Sequence, residues 1–136
     1  MSDEPVSARA MILVIEDNPA SQMLIRAVLE GAGYEVEVAA NSTQARVSLS
    51  ALRPALILMD VQLPGEDGLS LARWLRFMPE TKSIPIVALT AGTQLKDRQA
   101  ALEAGCVGFI SKPIDTRAFP SRVAEFLTAA QQQSEP

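Results

Sequence analysis

Histidine is absent from the 136 residues. That excludes Ser-His-Asp and Cys-His catalysis and any metal site built on imidazole. The single cysteine, Cys106, allows no internal disulfide. Between Gly105 and Val107 it reads as a small buried thiol rather than a reactive one, a usage that fits a reducing compartment such as a bacterial cytoplasm. Aromatic residues make up only 4% of the chain, so Leu, Ile, Val and Ala must fill the core. Cations are outnumbered, 12 Lys and Arg against 16 Asp and Glu, for a net charge of -4 with no basic stripe. This argues against non-specific nucleic-acid binding, which requires phosphate neutralisation. Long apolar runs are missing as well. Met11–Ile15 and Ala55–Met59 are the longest, far below the roughly 20 residues of a membrane span. Residues 1–9 are polar and carry acids, so they do not read as a signal peptide.

What is present is a 48% hydrophobic chain of a length that suits one domain with a sizeable core. Met11–Ile15 is a continuous apolar run, the pattern of a strand covered on both faces. Asn18-Pro19 then offers a cap and a favoured first helical residue. The helix that follows shows apolar residues at Ala20, Met23, Leu24, Ala27 and Val28, and Gly31 and Gly33 end it. Tyr34–Ala40 alternates Val36 and Val38 with Glu35 and Glu37, the half-polar pattern of an edge strand. A second helix, capped by Asn41 or Ser42, runs to about Leu52 before Pro54. Ala55–Met59 reads as a buried third strand ending at Asp60, and a third helix covers about Leu69–Phe77. Ile84–Leu89 forms a fourth strand ending at Thr90. Gln94–Ala104 forms a fourth helix, Val107–Ile110 a fifth strand, and Thr116–Ala129 a fifth helix. Pro120 falls about a turn into that last helix, so either the helix begins later or it is kinked. The expected organisation is a polar tail over residues 1–9, one domain over 10–130, and a tail over 131–136 with no attached output module.

Strands alternating with helices imply an α/β fold, a parallel sheet with helices on both faces. Ligands in such sheets bind beyond the carboxyl ends of the strands. Those ends carry Glu16-Asp17, Asp60, Thr90 and the approach to Lys112. Each residue alone is bland, since an acid after a strand is usually a solvated cap. Together, three carboxylates in one crevice repel each other, and Lys112 offsets only one charge. A hard divalent cation complements them, and oxygen-only ligands point to Mg²⁺ or Mn²⁺. Carboxylates, Mg²⁺ and a lysine are the parts of a phosphoryl-transfer site in which an Asp can be the nucleophile.

The segments Val14–Asn18, Leu56–Gly65, Asp67–Leu69, Pro85–Ala91 and Gly108–Pro113 stand in the order and spacing of the response-regulator receiver family. The resemblance covers roughly residues 11–128 and extends to the chemotaxis regulator and to stand-alone regulators of bacterial phosphorelays. It implies a doubly wound, five-stranded sheet in the order 2-1-3-4-5. Position by position, it implies an acidic pair for Mg²⁺ at Glu16 and Asp17, with Asp17 the more direct ligand. It also implies a phosphoacceptor at Asp60, a metal ligand in the backbone carbonyl of Gln62, a switch hydroxyl at Thr90 and the family's lysine at Lys112. A cis peptide bond is expected between Lys112 and Pro113, and a switch aromatic at Phe109, where core packing is a compatible second role. Gln62 and Gly92 occupy positions thought to tune loss of the phosphoryl group.

The implied function is a cytoplasmic single-domain response regulator that catalyses nothing beyond its own phosphorylation and dephosphorylation. The resemblance implies a histidine kinase or histidine phosphotransfer protein as donor, and the chain, lacking histidine, cannot itself be a phosphohistidine donor. Output passes to a downstream protein through the face of the fourth helix, fifth strand and fifth helix, without nucleic acid or membrane, as a monomer or weak dimer. Two binding alternatives are a phosphorylation-independent scaffold and a receiver excised from a hybrid histidine kinase. An Asp-nucleophile phosphatase would carry a second acid two residues after the nucleophile, where this chain has Gln62. A flavin protein of similar topology would set its phosphate loop where Glu16-Asp17 stands, a repulsive place for an anion without a metal.

Overall fold

The computed structural model describes residues 10–92 and 94–134. Five strands alternate with five helices: β1 (Met11–Ile15), α1 (Pro19–Gly31), β2 (Glu35–Ala39), α2 (Ser42–Ala51), β3 (Leu56–Asp60), α3 (Gly68–Phe77), β4 (Ile86–Thr90), α4 (Leu95–Glu103), β5 (Gly108–Ser111) and α5 (Phe119–Ser134). All strand pairs are parallel, in the order β2-β1-β3-β4-β5. The expected fold is therefore the observed one, with the half-polar β2 at an edge.

Side-chain alternation along the strands sorts the core into two layers. Ile12, Val14, Leu56, Leu58, Val87 and Leu89 face α1 and α5, meeting Ile25, Leu29, Phe119 and Val123. Leu13, Ile15, Ile57, Met59, Ile86 and Ala88 face α2, α3 and α4, meeting Leu49, Leu71, Leu75 and Ala101. β3 and β4 are buried along their whole length because both faces are covered, so they read as unbroken apolar runs rather than alternating ones. Among the described residues, Phe119 is the only aromatic side chain that is fully buried, and aliphatic residues supply most of the rest of the core.

Caps set the helix starts. The Asn18 side chain accepts from the Ser21 N–H, Asn41 from Gln44 and Asp67 from Ser70, each closing a first turn. Two details depart from the sequence reading. In α1 the expected stripe is rotated: Ile25 and Leu29 are fully buried, whereas Met23 is 72% exposed and Leu24 42%. The helix is apolar over more than half its circumference, so periodicity alone does not choose the inner stripe. In α5 the regular helix begins at Phe119, not Thr116. Asp115 first builds a turn, its carbonyl accepting from Ala118 and Phe119. Pro120 thus falls in the first helical turn, where no N–H is required and no kink arises. The helix also runs on through residues 131–134, past the point where the tail was expected. The expected N-terminal tail and residues 135 and 136 lie outside the described residues.

Candidate metal and phosphoacceptor site

β1, β3 and β4 end in register, so their carboxyl termini deliver side chains to one crevice. Glu16 and Asp17 follow β1, Asp60 closes β3 and Thr90 closes β4. Oxygens of Glu16, Asp17 and Asp60 lie within 4.8 Å of one another. Glu16 and Asp60 are buried and Asp17 is exposed, so one carboxylate faces solvent while two are held below it. Lys112 arrives from the far end of β5, its backbone N–H donating to the Thr90 carbonyl at 2.8 Å. Its ammonium donates to Asp60 Oδ2 at 2.9 Å and to Glu16 Oε1 at 3.0 Å. The peptide bond between Lys112 and Pro113 is cis.

Hydrogen bonds fix the remaining groups. Asp60 Oδ1 accepts from the Gln62 N–H at 2.9 Å, and Glu16 Oε2 accepts from the Asn18 N–H at 3.1 Å. The Thr90 hydroxyl oxygen accepts from the Gly92 N–H at 2.9 Å, which leaves its own proton free to donate. Phe109 lies further along the rim, half-buried, with the Arg98 guanidinium 4.9 Å from its ring centre. Arg122 donates to the Phe109 carbonyl at 3.2 Å.

The electrostatics are those of a strained anionic cluster. Burial holds the Glu16 carboxyl above the ordinary carboxylate value, and its bonds from Lys112 and Asn18 offset this only in part. Burial pulls Lys112 down, but its bonds to Asp60 and Glu16 outweigh that and leave the ammonium above its ordinary value. Three carboxylates against one ammonium leave an excess of negative charge. An all-oxygen donor set with one solvent-facing member fits a hard divalent cation that retains water.

Two supports were not legible in the sequence. Gln22 donates from its side chain to the Glu16 carbonyl at 2.6 Å, six residues away with no motif to mark it. Gly68 packs against the backbone of Asp60 and Val61; a Cβ there would fall on the Asp60 carbonyl oxygen and 2.8 Å from Val61 Cα. The Asp67–Leu69 segment was legible as a match to the receiver family, but not as the floor beneath Asp60. A groove of about 640 Å³ lies elsewhere, by Tyr34, Pro54, Ile84 and Leu127, and among the described residues it gathers no converging carboxylates.

A five-stranded 2-1-3-4-5 sheet with an acidic crevice and a lysine at its switch point defines the receiver class of signalling protein. The chain belongs to that family: the response regulator receiver domain model matches residues 12–124. Among curated proteins it is similar to the polar-differentiation response regulator DivK of Brucella anthropi, 35% identical over 116 residues, which span 85% of this chain and 94% of the relative. Among solved structures it resembles the receiver domain of a sensor histidine kinase from Pseudomonas aeruginosa. That match has a TM-score of 0.80 and 35% identity, over 88% of this chain and 98% of the other. The Pseudomonas structure holds a magnesium ion coordinated in its active-site cleft. The chemotaxis response regulator CheY4 of Vibrio cholerae superposes with a TM-score of 0.83 at 26% identity, over 87% and 98% of the two chains. The chain is therefore a receiver domain of two-component signalling, and among its described residues no helix is long and apolar enough to cross a membrane.

Proposed function

We propose that Asp60 accepts a phosphoryl group from a phosphohistidine donor and that the modified domain exchanges protein partners. The observation that carries this reading is the pairing of Asp60 with Lys112 inside a cluster of three carboxylates. An Asp60 carboxylate oxygen attacks phosphorus while the phosphorus–nitrogen bond of the donor breaks and its electron pair returns to the imidazole. Bound Mg²⁺, or Mn²⁺, held by Glu16, Asp17, Asp60 and the Gln62 carbonyl, supplies positive charge for the transferring oxygens. Lys112 moves its ammonium from the Asp60 carboxylate to a phosphoryl oxygen, and the free proton of Thr90 donates to another. Drawing Thr90 inward opens space into which Phe109 turns. The face formed by α4, β5 and α5 then presents a different shape. The half-buried position of Phe109, packed against the core with the Arg98 guanidinium over its ring, supports this, since its exposure can still change.

The test is intact mass after incubation with acetyl phosphate and Mg²⁺, on the native chain and on Asp60→Asn. A gain of roughly 80 Da that requires Mg²⁺ and vanishes in the variant is expected for one phosphoryl group. No gain, together with no Mg²⁺ binding, would leave the phosphorylation-independent scaffold as the reading.

A further inference from the structure

Seven residues, 61–67, connect β3 to α3 and carry two parts of the site described above: the Gln62 carbonyl and the turn that brings Gly68 beneath Asp60. Their backbone is tied at the ends. Val61 donates to the Leu89 carbonyl at 3.1 Å, and Gly68 donates back to Val61 at 3.0 Å. In the middle the chain turns through Gly65, at a φ of 82° that favours glycine. Among the described residues, one polar side-chain contact joins residues 61–66 to a neighbouring helix. Arg46, on α2, places its Nη2 2.9 Å from Glu66 Oε1 and 3.1 Å from Glu66 Oε2. The Arg46 guanidinium in turn lies 4.5 Å from the centre of the Trp74 ring, on α3.

One cation thus bridges two helices and the loop. Exposed ion pairs generally add little to stability, because the side chains give up freedom and salt screens the charge. Here the guanidinium is sandwiched against an indole, and the two side chains are only 33% and 30% exposed, so its position is already restricted. The tie falls at Glu66, directly before the Asp67 cap of α3 and the Gly68 contact with Asp60. We propose that Arg46 is a positioning residue for the metal and phosphoacceptor crevice. It acts through Glu66 to hold the β3–α3 loop, and with it the Gln62 carbonyl, in the geometry that binds the cation. The inference rests on the Mg²⁺-dependent reading of the Asp60 site. It extends that site to an α2 residue that contacts none of its ligands.

Opposite charges make the test decisive. Long-range electrostatics predicts shifts of opposite sign: losing Arg46 would tighten cation binding, and losing the Glu66 charge would weaken it. Positioning predicts that both weaken it, and that the double variant is no worse than either single one. The measurement is calorimetric titration of the intact chain with Mg²⁺ alone, for the native protein, Arg46→Ala, Glu66→Gln and the pair. Thermal melts in chelator show whether each variant is folded. Arg46→Ala and Glu66→Gln are each expected to weaken Mg²⁺ binding about 10-fold, the lower end of what outer-shell partners cost. Arg46→Lys, which keeps the charge for Glu66, is expected to recover part of the loss. Native-like affinity in Arg46→Ala, or shifts of opposite sign in the two single variants, would overturn the inference and leave the Asp60 reading intact. Failure of the native chain itself to bind Mg²⁺ would overturn both.

Discussion

Lys112 is the residue on which the crevice depends when no cation is bound. Its ammonium bonds two carboxylates, one of them on a Glu16 side chain that is 1% exposed. Lys112→Met would leave Glu16 facing Asp60 and Asp17 with no counter-charge. The expected loss is about 1–3 kcal/mol of stability in chelator, the usual cost of orphaning a buried polar group. Mg²⁺ should restore part of it, because the cation replaces the missing charge; denaturant unfolding with and without Mg²⁺ checks both. Because folding raises the Lys112 pKa, its contribution is fully present below the ordinary value of 10.5 and is lost as pH rises through the raised one. Cys106 supplies a contrasting case. It is buried, and burial pushes its thiol up to about 11, so almost no thiolate exists near neutrality. Iodoacetamide is expected to leave the native chain unmodified at pH 8 and to label it once denaturant is added, as read by intact mass. All the charged members of the crevice were legible as residues at strand ends. Gln22 and Gly68 were not, because their roles come from contacts across a turn rather than from side-chain type.

At the scale of elements, the β3–α3 connection is the most constrained. Gly68→Ala would drive a methyl group into the Asp60 carbonyl, so either β3 or α3 must shift. A stability loss of about 1–3 kcal/mol is expected, typical of forced packing, with slower labelling of Asp60 by acetyl phosphate. Asp67 caps the same helix, and the Ser70 N–H bond holds its carboxyl below the ordinary value of 3.8. A depressed carboxyl stabilises above its unfolded value and loses that effect as pH falls through the folded one. Asp67→Ala is therefore expected to cost about 1 kcal/mol at neutral pH and progressively less in acid below 3.8, measured by urea unfolding across pH. Element type and order were readable because apolar runs, caps and glycines agree with one another along the chain. The inner stripe of α1 was not readable, since Met23-Leu24 and Ile25-Leu29 are equally apolar candidates. Only the sheet decides which pair it covers. The start of α5 was misplaced because the Asp115 turn mimics a helical cap four residues early.

For the whole molecule, a cation that binds only the folded state must stabilise it. With Mg²⁺ at 10 times its dissociation constant the gain is about 1.4 kcal/mol, and chelation removes it. A melting temperature that rises with Mg²⁺ in the native chain, and rises less in Asp17→Asn, is the expected result. Sequence by itself determined the class of fold, because strands alternating with helices under right-handed crossovers give a parallel sheet covered on both faces, while the strand order followed from the resemblance of its motifs to the receiver family. It also determined which residue types stand at the rim. Tertiary structure alone decided that Lys112 is shared between Glu16 and Asp60 and that Gly68 lies under Asp60. It alone decided, too, that an arginine on α2 reaches the loop beside Asp60. Each of these contacts joins segments on different elements, and no local pattern records a distance between residues that folding alone brings together.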